Sequence, residues 1–295
     1  MQWAALAIAV CFHLLRLTVL SRAWRNVLEA AYPSARVRWR SIFGAQLAGV
    51  GVNAIVPARG GDVVRIVLAK RRIDGATYPT VASTILLLTL FDMVVAGALV
   101  IWATALGKLP GGSVVKRLPS FEFAWAFRHP DRSLIVFGLL FVSALLLLLW
   151  YAQQIEDFWL RIRQGFSILR DRRAYVRRVA IFQACDWTFR ITALYWFLRA
   201  FGLPATLFNA ALVQASLSLS TLLPLAPSGI GTEQALVLYV LRGKAASAVL
   251  LSFSVGMRLT LIAVNAVVGL GAILRMTGTL RLRGAVEPEA RGEST

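Results

Sequence analysis

The chain of 295 residues is 58% hydrophobic with a mean hydropathy of +0.68, and 32 Lys and Arg against 14 Asp and Glu give it a net charge of +18. Apolar runs near the roughly 20 residues that cross a bilayer exclude a soluble domain and indicate an all-α, multi-pass membrane protein. The basic residues stand at the ends of these runs rather than in one polar block, which argues for positive-inside topology and anionic-lipid contact and against a nucleic-acid partner.

Residues 3–20 form the first predicted span. No basic residue precedes it, and Ser21-Arg22-Ala23-Trp24-Arg25 follows without a small-residue cleavage site, so a retained helix is expected rather than a signal peptide. Residues 21–40 carry Arg22, Arg25, Arg36, Arg38 and Arg40 and are assigned to the cytoplasm.

The apolar run 41–69 breaks at Asn53-Ala54-Ile55-Val56-Pro57-Ala58-Arg59-Gly60-Gly61-Asp62 and then resumes, ending at Lys70, Arg71 and Arg72. A proline without an N–H, two glycines and an Arg/Asp pair are tolerated at membrane depth only where they line a protein cavity. With basic residues at both ends, the segment is expected to enter and return as two half-helices of about 15 residues, each roughly 22 Å long, in a re-entrant hairpin.

Residues 80–106 form the next span, with Asp92 near its middle. The link 107–132 is placed outside although it carries Lys108, Lys116, Arg117, Arg128 and Arg132, against the trend of the other loops. Residues 133–151 are a further span. The stretch 153–178 mixes apolar residues with seven arginines and reads either as an amphipathic helix on the cytoplasmic interface or as a charged loop covering helix ends.

A span over 179–200 follows, then a second broken run, 207–241, interrupted at Leu223-Pro224-Leu225-Ala226-Pro227-Ser228-Gly229-Ile230-Gly231-Thr232-Glu233. This break repeats the order of the first: proline, glycine, one acid, resumed apolar run. Residues 248–274 are the last span, and the tail 276–295 lies inside. The plan is therefore about five full spans and two re-entrant hairpins in an inverted repeat: repeat one 3–106, linker span 133–151, repeat two 179–274, all within one domain over 1–275. It places the N-terminus outside and the C-terminus inside the cell membrane.

The residues that carry chemistry sit at the breaks and at isolated mid-span charges. Asn53, Arg59, Arg65 and Arg258 are the candidates for binding substrate. Arg59 stands where a half-helix begins, so unpaired N–H groups and the positive helix end favour an anion beside its guanidinium. Alternatively Arg59 pairs with Asp62 or Glu233 to hold the break. Arg65 is a second phosphate ligand or the partner of Asp62. Asp92 and Arg258 are costly at mid-span, and serve coupling and headgroup contact respectively, or form an ion pair with each other or with the repeats. Pro57, Gly60, Gly61, Pro227, Gly229 and Gly231 make the breaks. Glu233 caps its half-helix or titrates in coupling. Asp186 and Arg190, four apart, read as a structural pair.

Cys11 and Cys185 lie in apolar runs, and His13 and His129 lack neighbours at ligand spacing, so no disulfide, metal site, catalytic group or cofactor is expected. An enzyme acting on lipid-linked sugars would need paired carboxylates in a wet loop, and the outer loop offers only Glu122 and Asp131. An ion-coupled transporter of a small anion would share the same candidate site.

The run Asn53-x-x-x-Pro57-x-Arg59-Gly60-Gly61-Asp62-x-x-Arg65, the pair Phe91-Asp92, and Pro227-Ser228-Gly229-Ile230-Gly231-Thr232-Glu233 together resemble the flippase-type transmembrane domain of lysylphosphatidylglycerol synthases, over roughly residues 3–275. Asp62 replaces the family's usual glutamate, and Ser228 its usual glycine. The resemblance implies a stand-alone flippase-like domain that starts at the family's second helix and moves a membrane lipid with an anionic headgroup. No aminoacyl-transfer domain follows residue 275, so it implies no lysyl transfer.

Overall fold

The computed structural model describes residues 2–56, 60–109, 156–222 and 231–277. The expected span over 133–151, the tail beyond 277, and Pro57, Arg59, Pro227 and Gly229 lie outside the described residues. Among those described, all regular structure is helical.

Helix α1, Trp3–Ala31, is longer than the apolar run suggests. Residues 21–31, assigned to the cytoplasm from their charges, continue the helix, and it stops at Tyr32 because Pro33 disfavours helical geometry in the residue before it. Helix α2, Trp39–Ile55, ends just before the first break, and α3, Gly60–Lys70, resumes after it with Asp62 in its first turn and Lys70 in its last, the arrangement the helix dipole favours. Helix α4, Tyr78–Ala105, starts from Thr77, whose hydroxyl accepts from the Thr80 N–H, with Pro79 in the first turn.

The amphipathic stretch does not form one helix. It folds as α5, Glu156–Gly165, a 3-10 turn Ser167–Arg170, a helical turn Arg172–Tyr175 capped by Asp171, and a π-helical stretch Val176–Ala180 that runs into α6, Ile181–Ala200. Helices α7, Leu207–Leu222, and α8, Thr232–Val240, flank the second break. There Gly231 takes φ +90°, a conformation that suits glycine, and its N–H donates to Gln234 Oε1 at 2.7 Å. Helix α9, Ser247–Thr277, completes the described chain. Among the described residues, three helices, α1, α4 and α9, are long and apolar enough to cross a membrane.

Helix α1 packs along α6, α9 along α2, and α7 against α4, α6 and α8. In lipid, helices gain little from burying apolar faces, so close approach of small residues and interhelical polar contacts hold them together. A Cβ on Gly51 of α2 would lie 2.5 Å from the Cα of Gly269 on α9, and one on Gly49 would lie 2.7 Å from the Gly61 carbonyl oxygen on α3.

Of the three apolar clusters among the described residues, two sit at opposite ends of α1 and α9. One gathers Trp24, Leu28, Ile42, Leu68, Leu88 and Ile273; the other gathers Leu194, Phe197, Val237, Leu250, Phe253 and Met257. His13 and Arg16 of α1, Asp92 of α4, Arg190 of α6, and Arg258 and Asn265 of α9 lie between them.

The end of the molecule with the first cluster is strongly basic. There Lys70 Nζ lies 4.4 Å over the Tyr78 ring, Arg72 donates to the Met276 carbonyl, Arg25 donates to the Val37 carbonyl, and Asn26 donates to the Arg178 carbonyl. At the other end, the Gln2 N–H donates to the Ala200 carbonyl at 2.8 Å.

Candidate functional site

A cavity of about 740 Å³ opens between the two clusters. Six residues singled out in the sequence, Asn53, Asp62, Arg65, Asp92, Glu233 and Arg258, all line it although they come from five helices. It is lined by the middle of the long helices: His13 and Arg16 of α1, Thr89 to Ala96 of α4, and Met257 to Asn265 of α9.

The first break is held locally. The Gly61 N–H donates to Asn53 Oδ1 at 2.8 Å, and Asn53 Nδ2 donates to Asp62 Oδ1 at 3.3 Å, so one amide side chain bridges the end of α2 and the start of α3. Gly60 opens α3, and Gly61 is buried against Gly49. Arg65 Nη2 sits 3.2 Å from Asp62 Oδ1, and Arg65 Nη1 donates to Gln46 Oε1 at 3.3 Å. Of the two roles considered for Arg65, partnership with Asp62 is therefore formed, and its guanidinium still faces the cavity.

The second break is held at a distance. Glu233, in the first turn of α8, accepts from Arg258 Nη1 of α9 at 2.6 Å. The side chains are 18% and 21% exposed respectively, so the pair is shielded from bulk water yet open to the cavity. Arg258 thus finds Glu233 rather than Asp92.

Asp92 belongs to another network. Trp187 Nε1 donates to its Oδ1 at 2.8 Å, and Arg190 Nη2 lies 3.8 Å from its Oδ2. Arg190 also donates to Asp186 Oδ2 at 2.7 Å, as the four-residue spacing suggests, while Arg16 Nε of α1 donates to Asp186 Oδ1 at 3.0 Å. The Asp186 side chain is 1% exposed, and a buried carboxylate needs such donors to remain charged. The network ties α1, α6 and α4 together. Gln183 Nε2 supports it from α6, donating to the Leu88 carbonyl of α4 at 2.9 Å.

Sequence reasoning missed His13, Arg16 and Asn265. His13 Nε2 and Asn265 Oδ1 are 2.8 Å apart, a polar bridge between α1 and α9 across the cavity wall. The signal available was the spacing of His13 and Arg16, three apart and thus on one helix face. Gln214, Ser218 and Thr221 of α7 add a polar edge, one turn apart along one face. The site therefore offers guanidinium and amide donors beside carboxylate and hydroxyl acceptors, inside an apolar shell.

A family model described as the lysylphosphatidylglycerol synthase TM region matches residues 1–269. No curated protein and no solved structure matches the chain.

Proposed function

The chain belongs to the lysylphosphatidylglycerol synthase TM-region family, and on that premise we propose that it is a translocator, moving a phospholipid or other anionic lipid between the leaflets of the cell membrane. The observation that carries this reading is the convergence of Asp62 and Arg65 after the first break, Glu233 after the second, and Arg258 on one polar cavity between two apolar clusters. A headgroup fits a space of this size and polarity, while the acyl chains remain in lipid.

In this reading α2–α3 and α7–α8 are re-entrant hairpins of opposite orientation, set in inverted repeats on either side of a linker span at 133–151. The basic end lies in the cytoplasm, which puts the N-terminus outside and the C-terminus inside. Arg65 and Arg258, with Arg59, take the headgroup phosphate, and the acids return to their arginines when it leaves. The protein acts as a carrier and not as an enzyme. Rocking of the two halves about the His13–Asn265 contact exposes the cavity alternately to each leaflet.

The test is transbilayer movement of a headgroup series of fluorescent lipids in proteoliposomes. Movement selective for headgroup supports the reading. Absence of movement for every lipid, with and without a proton or sodium gradient, contradicts it.

A further inference from the structure

The segment 156–180 covers the basic end of the helix bundle without contributing to the central cavity. Helix α5 is fixed there by Gln164, whose Nε2 donates to the Ala31 carbonyl at the end of α1 at 2.8 Å and whose Oε1 accepts from Thr80 of α4 at 3.4 Å. Ser167 adds a bond to the Ala30 carbonyl at 2.9 Å. Gly165 lies so close to α4 that a Cβ there would overlap the Ser83 hydroxyl. One side of the segment is thus seated.

Among the described residues, nothing covers the other side, which is apolar. Trp159 and Leu160 are 60% and 61% exposed and Leu169 is 43% exposed. Trp159, Ile162, Arg163, Phe166, Leu169 and Arg170 enclose a groove of about 440 Å³. The cavity arginines Arg16, Arg65, Arg190 and Arg258 each meet a carboxylate, but among the described residues Arg163 and Arg170 meet none. Two guanidinium groups that meet no carboxylate among the described residues, in an aromatic groove at the ends of membrane helices, match the chemistry of a phosphodiester carried on an apolar tail.

We propose that this groove binds an anionic phospholipid of the leaflet at the basic end, with Arg163 and Arg170 on its phosphate and Trp159, Phe166 and Leu169 against its glycerol and upper acyl chain. Guanidinium groups bond phosphate oxygens in pairs, and aromatic side chains settle at the headgroup level. The exposed Arg172, Arg173, Arg177 and Arg178 raise the local concentration of anionic lipid but do not line the groove. The site is separate from the translocation cavity, and its test reads labelling, not transport.

The full chain is reconstituted in phosphatidylcholine vesicles with a trace of photoactivatable phosphatidylglycerol, and the labelled peptides are mapped by mass spectrometry. Labelling of 159–170 is expected to exceed that by the matching phosphatidylcholine probe, and unlabelled phosphatidylglycerol should compete it away. An arginine at the membrane surface contributes about fivefold to the preference for an anionic lipid, so Arg163→Ala/Arg170→Ala, which removes the phosphate contacts as well, should bring the two probes close to parity, while Arg172→Ala/Arg173→Ala should lower the preference clearly less. Equal labelling of the wild type by both probes overturns the site, and this comparison holds even if a variant fails to fold. An equal loss in both double variants also overturns it, since the contact would then be diffuse surface charge.

Discussion

Arg258, near the middle of the last long helix, donates to Glu233 at the start of the half-helix that follows the second break, with Nη1 2.6 Å from Oε2. The two residues are 25 apart in sequence, and their pair fastens α8 to α9 at the cavity wall. A charge-assisted bond of this kind contributes about 1.5–3 kcal/mol, and removing one partner leaves the other charge shielded and unmatched. Glu233→Gln should therefore lower the melting temperature of the detergent-solubilised protein more than the double replacement Glu233→Gln/Arg258→Met does. Additive losses in the double-mutant cycle would mean that the pair is not coupled.

Asp186 is the more deeply buried acid and serves two arginines from two helices, Arg16 at 3.0 Å and Arg190 at 2.7 Å. Asp186→Asn keeps the shape but leaves two guanidinium groups without their shared countercharge. The expected cost is about 3–5 kcal/mol, the range for breaking a buried ion pair. Thermal unfolding in detergent reads this directly, and a melting temperature within error of wild type would refute the role given to Asp186.

The α2–α9 contact depends on glycine at both sides. Gly51→Ala places a methyl group 2.5 Å from the Gly269 Cα, with backbone on the facing side that has no flexible end to move. Helix separation or local bending follows, and stability should fall by about 1–3 kcal/mol, the usual cost of overpacking. Gly97→Ala on α4, where nothing lies within 4 Å, should be neutral or stabilising by up to about 1 kcal/mol through helix propensity. Similar losses for the two variants would show that the close approach is not what holds these helices.

The breaks were legible because proline and glycine interrupt otherwise apolar runs: the expected gaps after Asn53 and before Glu233 separate α2 from α3 and α7 from α8. Asp62, Arg65, Asp92, Glu233 and Arg258 stood out because an ionisable group in a membrane run is costly wherever it has no partner. Their pairing was not legible. Arg258 was as plausible a partner for Asp92 as any other, until the Gln183–Leu88 contact between α6 and α4 brought Trp187 and Arg190 to it instead. His13 and Asn265 stayed hidden because an uncharged polar residue costs far less in a membrane run than an ionised one and so does not mark a site by itself; only the packing of α1 on α6 and of α9 on α2 turns both toward the cavity. The end of α1 was missed because charge, which marks the membrane boundary, does not stop a helix, whereas Pro33 does.

Threading has a separate test in a protein with Cys11 and Cys185 replaced. Asp74 and Lys244 are exposed at the basic end and the opposite end. Single cysteines placed at each should react with a membrane-impermeant reagent from opposite sides, with position 74 reached from the cytoplasm. Reaction of both from one side would contradict the inverted arrangement of the two broken-helix pairs.

The central claim is that a lipid headgroup passes through the charged cavity. Its most direct measurement is the rate at which fluorescent phosphatidylglycerol changes leaflet in proteoliposomes containing wild-type protein, Arg258→Ala or Glu233→Gln, with protein-free vesicles as the baseline. The account predicts movement well above baseline for wild type and a loss of about tenfold or more in each variant, equivalent to about 1.4 kcal/mol of barrier. Variant rates equal to wild type, with both proteins folded, would contradict it.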